Sequence, residues 1–320
     1  MSDDGYSPVF AEPVCAETNA SPVASVVMPG TGPTSGWRTY LKMTRPRVIA
    51  LVLMTGLPAL ALGPRWPSVA QLFWVLLGTS LVGAACSALN AYLERDVDAL
   101  MARTRRRPLP AGVVDPTAGL RFGLVTTVAS TAILAWQGGL LAALLGAGTI
   151  AFYVGVYTAF LKRRTPLNIV IGGAAGGTAP LILDAAVNGT ITPASLIVFT
   201  VVFLWTPPHF WAVAIYRRRE YEAAGIPMMP SVVGETATRW RMLGYALVLV
   251  PVSMLPAALG LSSWAYGFVA AALGGWFCGR LFRFLRVGGP TEARGVFQVS
   301  NLYLLLLVLA ICGDASFVVS

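Results

Sequence analysis

Nine apolar stretches, approximately 47–63, 69–93, 119–136, 140–160, 166–187, 193–216, 241–260, 263–285 and 297–319, occupy most of this 320-residue chain. Each is about as long as the 17 to 25 residues an α-helix needs to cross a bilayer. A backbone in lipid has no water to satisfy its polar groups, so the expected fold is all-α, a polytopic bundle of nine transmembrane helices. With 56% hydrophobic residues, 12% charged and a mean hydropathy of +0.69, the composition is far from that of a soluble domain.

The net charge of +9 would suit a nucleic-acid binder, but the placement of the basic residues excludes that reading. They border the apolar spans, and at alternate ends. Arg38, Lys42, Arg45 and Arg47 precede the first; Arg95 through Arg107 follow the second and Arg121 opens the third. Lys162, Arg163 and Arg164 follow the fourth, Arg217 to Arg219 with Arg239 and Arg241 the sixth, and Arg280, Arg283, Arg286 and Arg294 flank the turn into the ninth. Only Arg65 breaks the alternation. By the positive-inside rule these loops and the N-terminus are cytoplasmic and the C-terminus is periplasmic. The opposite turns, around Gly138, Asn188 and Ser262, are short and almost uncharged, so the sequon at Asn188-Gly-Thr reads as chance.

Residues 1–36 combine Asp3, Asp4, Glu12 and Glu17 with Pro, Gly and Ser and have no contiguous apolar core, which predicts a disordered cytoplasmic tail ahead of an intramembrane domain over 37–320. The missing transit signal points to a bacterial cell inner membrane. Cys15, Cys86, Cys278 and Cys312 have no metal or redox spacing.

Against this apolar background, the segment from Asn90 to Pro110 carries three carboxylates and then four arginines where the second span ends. Asn90, Glu94 and Asp98 recur at i, i+4 and i+8 and so share one helix face. Oxygen donors stacked in that way suit Mg2+, which takes one or two carboxylates and fills its other positions with water and substrate phosphate. The arginines that follow would meet such a phosphate, and a diphosphate is the natural substrate. A second group of acids and arginines, Tyr216 to Pro230, lies past the sixth span, four spans later on the same side. That recurrence hints at two related halves enclosing a cytoplasm-facing cavity.

Asn-x-x-x-(Asp/Glu)-x-x-x-Asp followed by Met-x-Arg-Thr-x-x-Arg-Pro-Leu resembles the first acidic motif of the UbiA-type intramembrane prenyltransferases. Thr44-Arg-Pro-Arg47, Tyr157 to Asn168, Gly172 to Gly177, Phe203 to Trp211 and Tyr221 to Pro230 resemble, in that order, the protohaem IX farnesyltransferase family within it. The resemblance implies transfer of a farnesyl group from farnesyl diphosphate to a vinyl group of haem B, giving haem O for terminal oxidase assembly. It also implies Mg2+, and haem A synthase or oxidase-assembly factors as candidate partners. Three departures stand out. Glu94 and Ala91 replace aspartates more usual in the superfamily, and Tyr216 stands four residues before Glu220 where a second aspartate is usual.

On this reading Asn90, Glu94 and Asp98 bind the first metal and Glu220 the second, with Tyr216 a candidate for substrate binding. Arg103, Arg107, Lys162, Arg163 and Arg164 are candidates for the diphosphate, or are simply the basic residues of cytoplasmic loops. His209, the chain's single histidine, is a haem ligand or proton handler, or else bonds backbone carbonyls freed at a kink made by Pro207 and Pro208. The glycines of 172–177 follow no strand and suggest close helix packing, not a phosphate loop. Two other functions stay open: a prenyltransferase with an aromatic or quinone-precursor acceptor, since the acids report the donor and say little about the acceptor, and an ion-coupled transporter, whose carboxylates would sit nearer the bilayer midplane.

Overall fold

The computed structural model describes residues 36–318; the N-terminal tail expected over 1–36, including Cys15, lies outside the described residues apart from Gly36. Among the described residues every regular element is helical. A short α1 (Trp37–Thr44) turns through Arg45 into α2 (Pro46–Ala61), and α3 (Val69–Leu93) is followed by the six-residue α4 (Arg95–Leu100). Next come α5 (Pro116–Ala151), a π-helical segment over Phe152–Leu161, α6 (Asn168–Gly176), α7 (Ala179–Asn188) and α8 (Pro193–Tyr216). The chain ends with α9 (Arg218–Ala223), α10 (Met229–Val232), α11 (Glu235–Ala258), α12 (Trp264–Val287) and α13 (Gly289–Val318).

By length and composition seven of these helical stretches can cross a membrane. The expected count of nine differs from this at two places. Pro116–Leu161 is one stretch of 46 residues, roughly 70 Å of helix against a hydrocarbon core of about 30 Å. It is kinked at Gly139, whose φ of 79° costs glycine nothing, and the hydropathy reading divides it there. Pro46–Ala61 is apolar but has 16 residues, below the length of the others.

Two groups of apolar residues hold the helices together. One joins α2, α3, α5 and α7 through Leu60, Val75, Val82, Leu134 and Ile182. The other joins α6, α8 and α10 to α13 through Trp211, Met229, Met242, Phe277, Phe284 and Tyr303. Close approach is bought by glycine: a Cβ at Gly123 would meet Leu89 at 2.6 Å, and one at Gly173 would meet Thr206 at 2.9 Å. A side chain at Gly172 would collide with the Tyr157 ring, so the glycines over 172–177 include two that pack helices. Helix α8 continues through Pro207 and Pro208, where a kink is expected.

The two acid-bearing segments are built alike. Helix α3 stops at Glu94 (φ −102°, ψ 5°) and α8 at Arg217 (φ −113°, ψ 22°), and a six-residue helix follows each. In both, the backbone at the joint lies near the sparsely populated bridge region, which turns the chain without ending its i→i−4 bonding. Glu94 N–H still donates to Asn90 O, and Arg217 N–H to Val213 O.

Candidate functional site

The acidic face of α3 is preserved across that joint. Glu94 N–H donates to Asn90 O at 2.9 Å and Asp98 N–H to Glu94 O at 2.7 Å, so the i, i+4, i+8 spacing survives as a continuous ladder into α4. All three side chains are buried, at 2%, 5% and 2% exposure. Asn90 Nδ2 donates to Glu94 at 2.9 Å and to the Thr158 hydroxyl at 3.2 Å, while its carbonyl accepts from Arg45 at 3.3 Å. The Lys162 ammonium lies 2.6 Å from both Glu94 carboxylate oxygens, and the Arg107 guanidinium 2.6 Å from Asp98. Three cations from three separate segments thus converge on one acidic face.

Local structure explains why each partner arrives. The loop after α4 is tied back by Thr104, whose hydroxyl donates to Asp98 O at 2.7 Å, and by Met101 and Leu109, which are buried. Arg107 is carried under Asp98 as a result. Burial and the nearby Arg45 lower its pKa from the usual arginine value, against the raising effect of Asp98. Lys162 stands at the end of the π-helical segment, its N–H bonded to Tyr157 O five residues back. The Thr158 hydroxyl donates to Tyr153 O, also five residues back, at 2.8 Å, and the wide turn of this segment places both Thr158 and Lys162 on the acidic face. Arg45 reaches Asn90 from a left-handed backbone (φ 55°), rare for a residue other than glycine.

The remaining expected residues fall into two other places. Arg103, Arg163 and Arg164 are exposed, Arg164 lying over the Phe160 ring at 4.1 Å, and none bonds a carboxylate among the described residues. Glu220 pairs with Arg217 at 3.1 Å and its side chain is 33% exposed. Beside it Arg217 also lies over the Tyr216 ring, and its pKa is raised, first by a hydrogen bond to Tyr216 and then by Glu220. Asp96 is 80% exposed and faces water. No side-chain hydrogen bond among the described residues joins Glu220 to Glu94. Asn168 links their segments instead: fully buried, it donates to Lys162 O at 3.3 Å and to Pro227 O at 3.4 Å. Tyr157 is within electrostatic reach of both Glu94 and Tyr221.

His209 does not bond a freed carbonyl. Its Nδ1 lies 2.9 Å from the Ser300 hydroxyl of α13, and its ring stacks on Trp205 (4.2 Å) and against Phe297 (4.8 Å). Phe297 in turn meets Tyr216 edge-on at 6.0 Å, connecting the histidine to the Glu220 end of α8. A pocket of about 430 Å3 lined by Leu167, Trp211, Met229, Arg241 and Tyr245 holds none of the expected site residues.

An oxygen-rich, buried donor set balanced by cations is what a metal–diphosphate site needs. The model of the UbiA prenyltransferase family matches residues 52–309, a span that includes every one of the candidate residues except Arg45. The chain belongs to the UbiA prenyltransferase family. It is 43% identical over 295 residues to a protoheme IX farnesyltransferase of Alkalilimnicola ehrlichii, covering 90% of this chain and 96% of that one. A protoheme IX farnesyltransferase of Symbiobacterium thermophilum is 44% identical over 284 residues, 87% of this chain and 94% of that one. Among solved structures, a digeranylgeranylglyceryl phosphate synthase superposes with a TM-score of 0.75 at 16% identity, over 87% of this chain and 98% of that one. A UbiA homolog from Archaeoglobus fulgidus bound to GPP and Mg2+ gives 0.66 at 17%, over 86% and 99%. This UbiA-family member is therefore a multi-pass membrane prenyltransferase.

Proposed function

We propose that the chain transfers a farnesyl group from farnesyl diphosphate to a vinyl group of haem B, with addition of water, to give haem O. The observation that carries the reading is the buried face of Asn90, Glu94 and Asp98 with Lys162, Arg107 and Arg45 gathered on it. The close relatives, similar over most of their length, supply the acceptor.

The donor set fits Mg2+. It offers only oxygen ligands, two carboxylates and an amide, and among the described residues no three acidic, histidine or cysteine side chains are placed to hold a metal ion by themselves. That is too few for an all-protein cage and suits an ion completed by substrate phosphate and water. Bound there, Mg2+ would supply positive charge against the departing diphosphate. Asn90, Glu94 and Asp98 would hold it, and Glu220 would serve a second ion. Lys162 and Arg107 exchange carboxylate contacts for phosphate contacts when the donor arrives, keeping its charge matched in a site of low dielectric. Arg103, Arg163 and Arg164 meet the diphosphate as it enters. Ionisation releases diphosphate and leaves an allylic cation shielded from water until the vinyl group attacks it; the cation this leaves on the haem side chain then takes up water and loses a proton. His209, with Tyr216 along the same helix, lines the haem side.

The orientation follows the charge: N-terminus and acidic clusters cytoplasmic, C-terminus periplasmic, in a bacterial inner membrane, where haem A synthase or oxidase-assembly factors would take the product. Extracting pigments from cells with and without the chain tests the reaction, haem O being expected only in its presence. In purified enzyme, chelation of divalent ions abolishes turnover and Mg2+ restores it; metal-independent turnover would reject the mechanism.

A further inference from the structure

Ser300 is fully buried on the face of α13 that meets α8. Its hydroxyl donates to Phe297 O at 2.8 Å, the back-bond a serine makes within a helix, and its carbonyl accepts from the Trp205 indole N–H at 2.7 Å. His209 Nδ1 lies 2.9 Å from the same hydroxyl oxygen. A hydroxyl has one proton and two lone pairs. With that proton on Phe297 O, the contact to the ring closes only when Nδ1 carries the imidazole proton and Ser300 accepts it. Nε2 then bears a lone pair. It has no hydrogen-bond partner among the described residues, and the ring keeps 8% exposure. Stacking on Trp205 and packing against Phe297 and Phe210 hold the ring against a flip that would exchange its nitrogens.

We propose that Ser300 is a positioning residue that fixes His209 as the Nδ1–H tautomer and so leaves the Nε2 lone pair free to ligate the iron of the haem acceptor. The proposal rests on haem B being that acceptor. Imidazole binds a metal through an unprotonated nitrogen, and the hydrogen bond made by the other nitrogen decides which one that is. With the opposite tautomer, Nε2–H would offer iron no electron pair.

Because His209 is the only histidine in the chain, the full-length protein labelled with 15N-histidine and carrying a histidine-free affinity tag gives a single pair of ring-nitrogen signals in lipid nanodiscs. The wild type is expected to show a protonated Nδ1 and an unprotonated Nε2. Ser300→Ala makes the Nε2–H form predominant, and Ser300→Thr, which keeps the hydroxyl, restores the original pair. An Nε2–H signal in the wild type overturns the proposal without any variant, as does a tautomer unmoved by Ser300→Ala. Titration with ferric protoporphyrin IX reads the consequence: Ser300→Ala weakens binding about 10-fold or more, the scale of losing an outer-shell partner of a ligating histidine. His209→Ala removes the imidazole-type absorption spectrum. An unchanged spectrum in His209→Ala, when the wild type shows the Nδ1–H signal, overturns the haem contact and leaves the tautomer assignment standing, so the two failures are distinguishable.

Discussion

A Glu94 carboxylate at 5% exposure with the Lys162 ammonium 2.6 Å away is a pair whose members depend on each other. Removing one charge strands the other away from water, so Lys162→Met should destabilise the protein by about 3 kcal/mol, whereas the double change Glu94→Gln with Lys162→Met should recover most of that loss. Denaturant midpoints of the two variants check it; equal destabilisation would mean that the pair is solvated. Asp98→Asn tests chemistry more than folding, because the amide still accepts from Arg107 but cannot neutralise a cation. Transfer should fall by on the order of 10²-fold, the scale of losing one charge-stabilising group, with an unchanged circular dichroism spectrum. Full activity of this variant would remove Asp98 from the metal site. At this scale the sequence was legible where partners are local: Asn90, Glu94 and Asp98 follow from helix spacing alone. Arg45, Thr158 and Ser300 were not, since their partners lie 45, 68 and 91 residues away, and nothing local marks a residue that must pair at that distance. The arginines divide for the same reason. Arg107 is drawn in by the turn that Thr104 ties, while Arg103, in the same run, stays exposed.

The π-helical segment does for the fourth apolar stretch what no sequence signal announces. Phe152–Leu161 is apolar on every side, so its composition has no periodicity from which a wider turn could be read. Its effect is one of register: bonding five residues back, instead of four, rotates Lys162 onto the face of Glu94. Deleting Gly155, a position where even a Cβ would meet nothing within 4 Å, removes one residue from this register. Lys162 should then turn by about 100° away from Glu94. Prenyl transfer is expected to drop on the order of 10²-fold, as for loss of a charged group at the site, while the helix content is retained. Unimpaired transfer in the deletion variant would show that the wide turn is dispensable. The glycines over 172–177 illustrate a more readable case. Lying inside an apolar stretch with no preceding strand, they pointed to packing, and Gly172 and Gly173 do meet Tyr157 and Thr206. The prolines of α8 do not end their helix, which continues through both.

At the scale of the whole molecule, orientation is an expectation from charge: basic residues at alternate ends predict that the loops bearing Glu94, Lys162 and Glu220 share one membrane side. The same long-helix, joint, short-helix arrangement recurs at α3–α4 and α8–α9. Hydropathy sees the first property readily; its nine spans and the seven long apolar helical stretches differ because it divides Pro116–Leu161 at the Gly139 kink and accepts the 16-residue Pro46–Ala61. Repetition is invisible to it, since the two acidic segments share a shape more than residues. Orientation is open to a direct test that depends on neither. In a variant with all four native cysteines replaced, Thr190→Cys lies in the nearly uncharged turn after α7 and Arg105→Cys in the basic loop after α4, and both positions are exposed. A membrane-impermeant thiol reagent added to spheroplasts should label Thr190→Cys at once and Arg105→Cys only after the membrane is opened, since positive loops stay inside. The reverse pattern would turn the acidic face of α3 outward, away from a soluble cytoplasmic diphosphate. It would therefore count against the proposed donor as well as against the orientation.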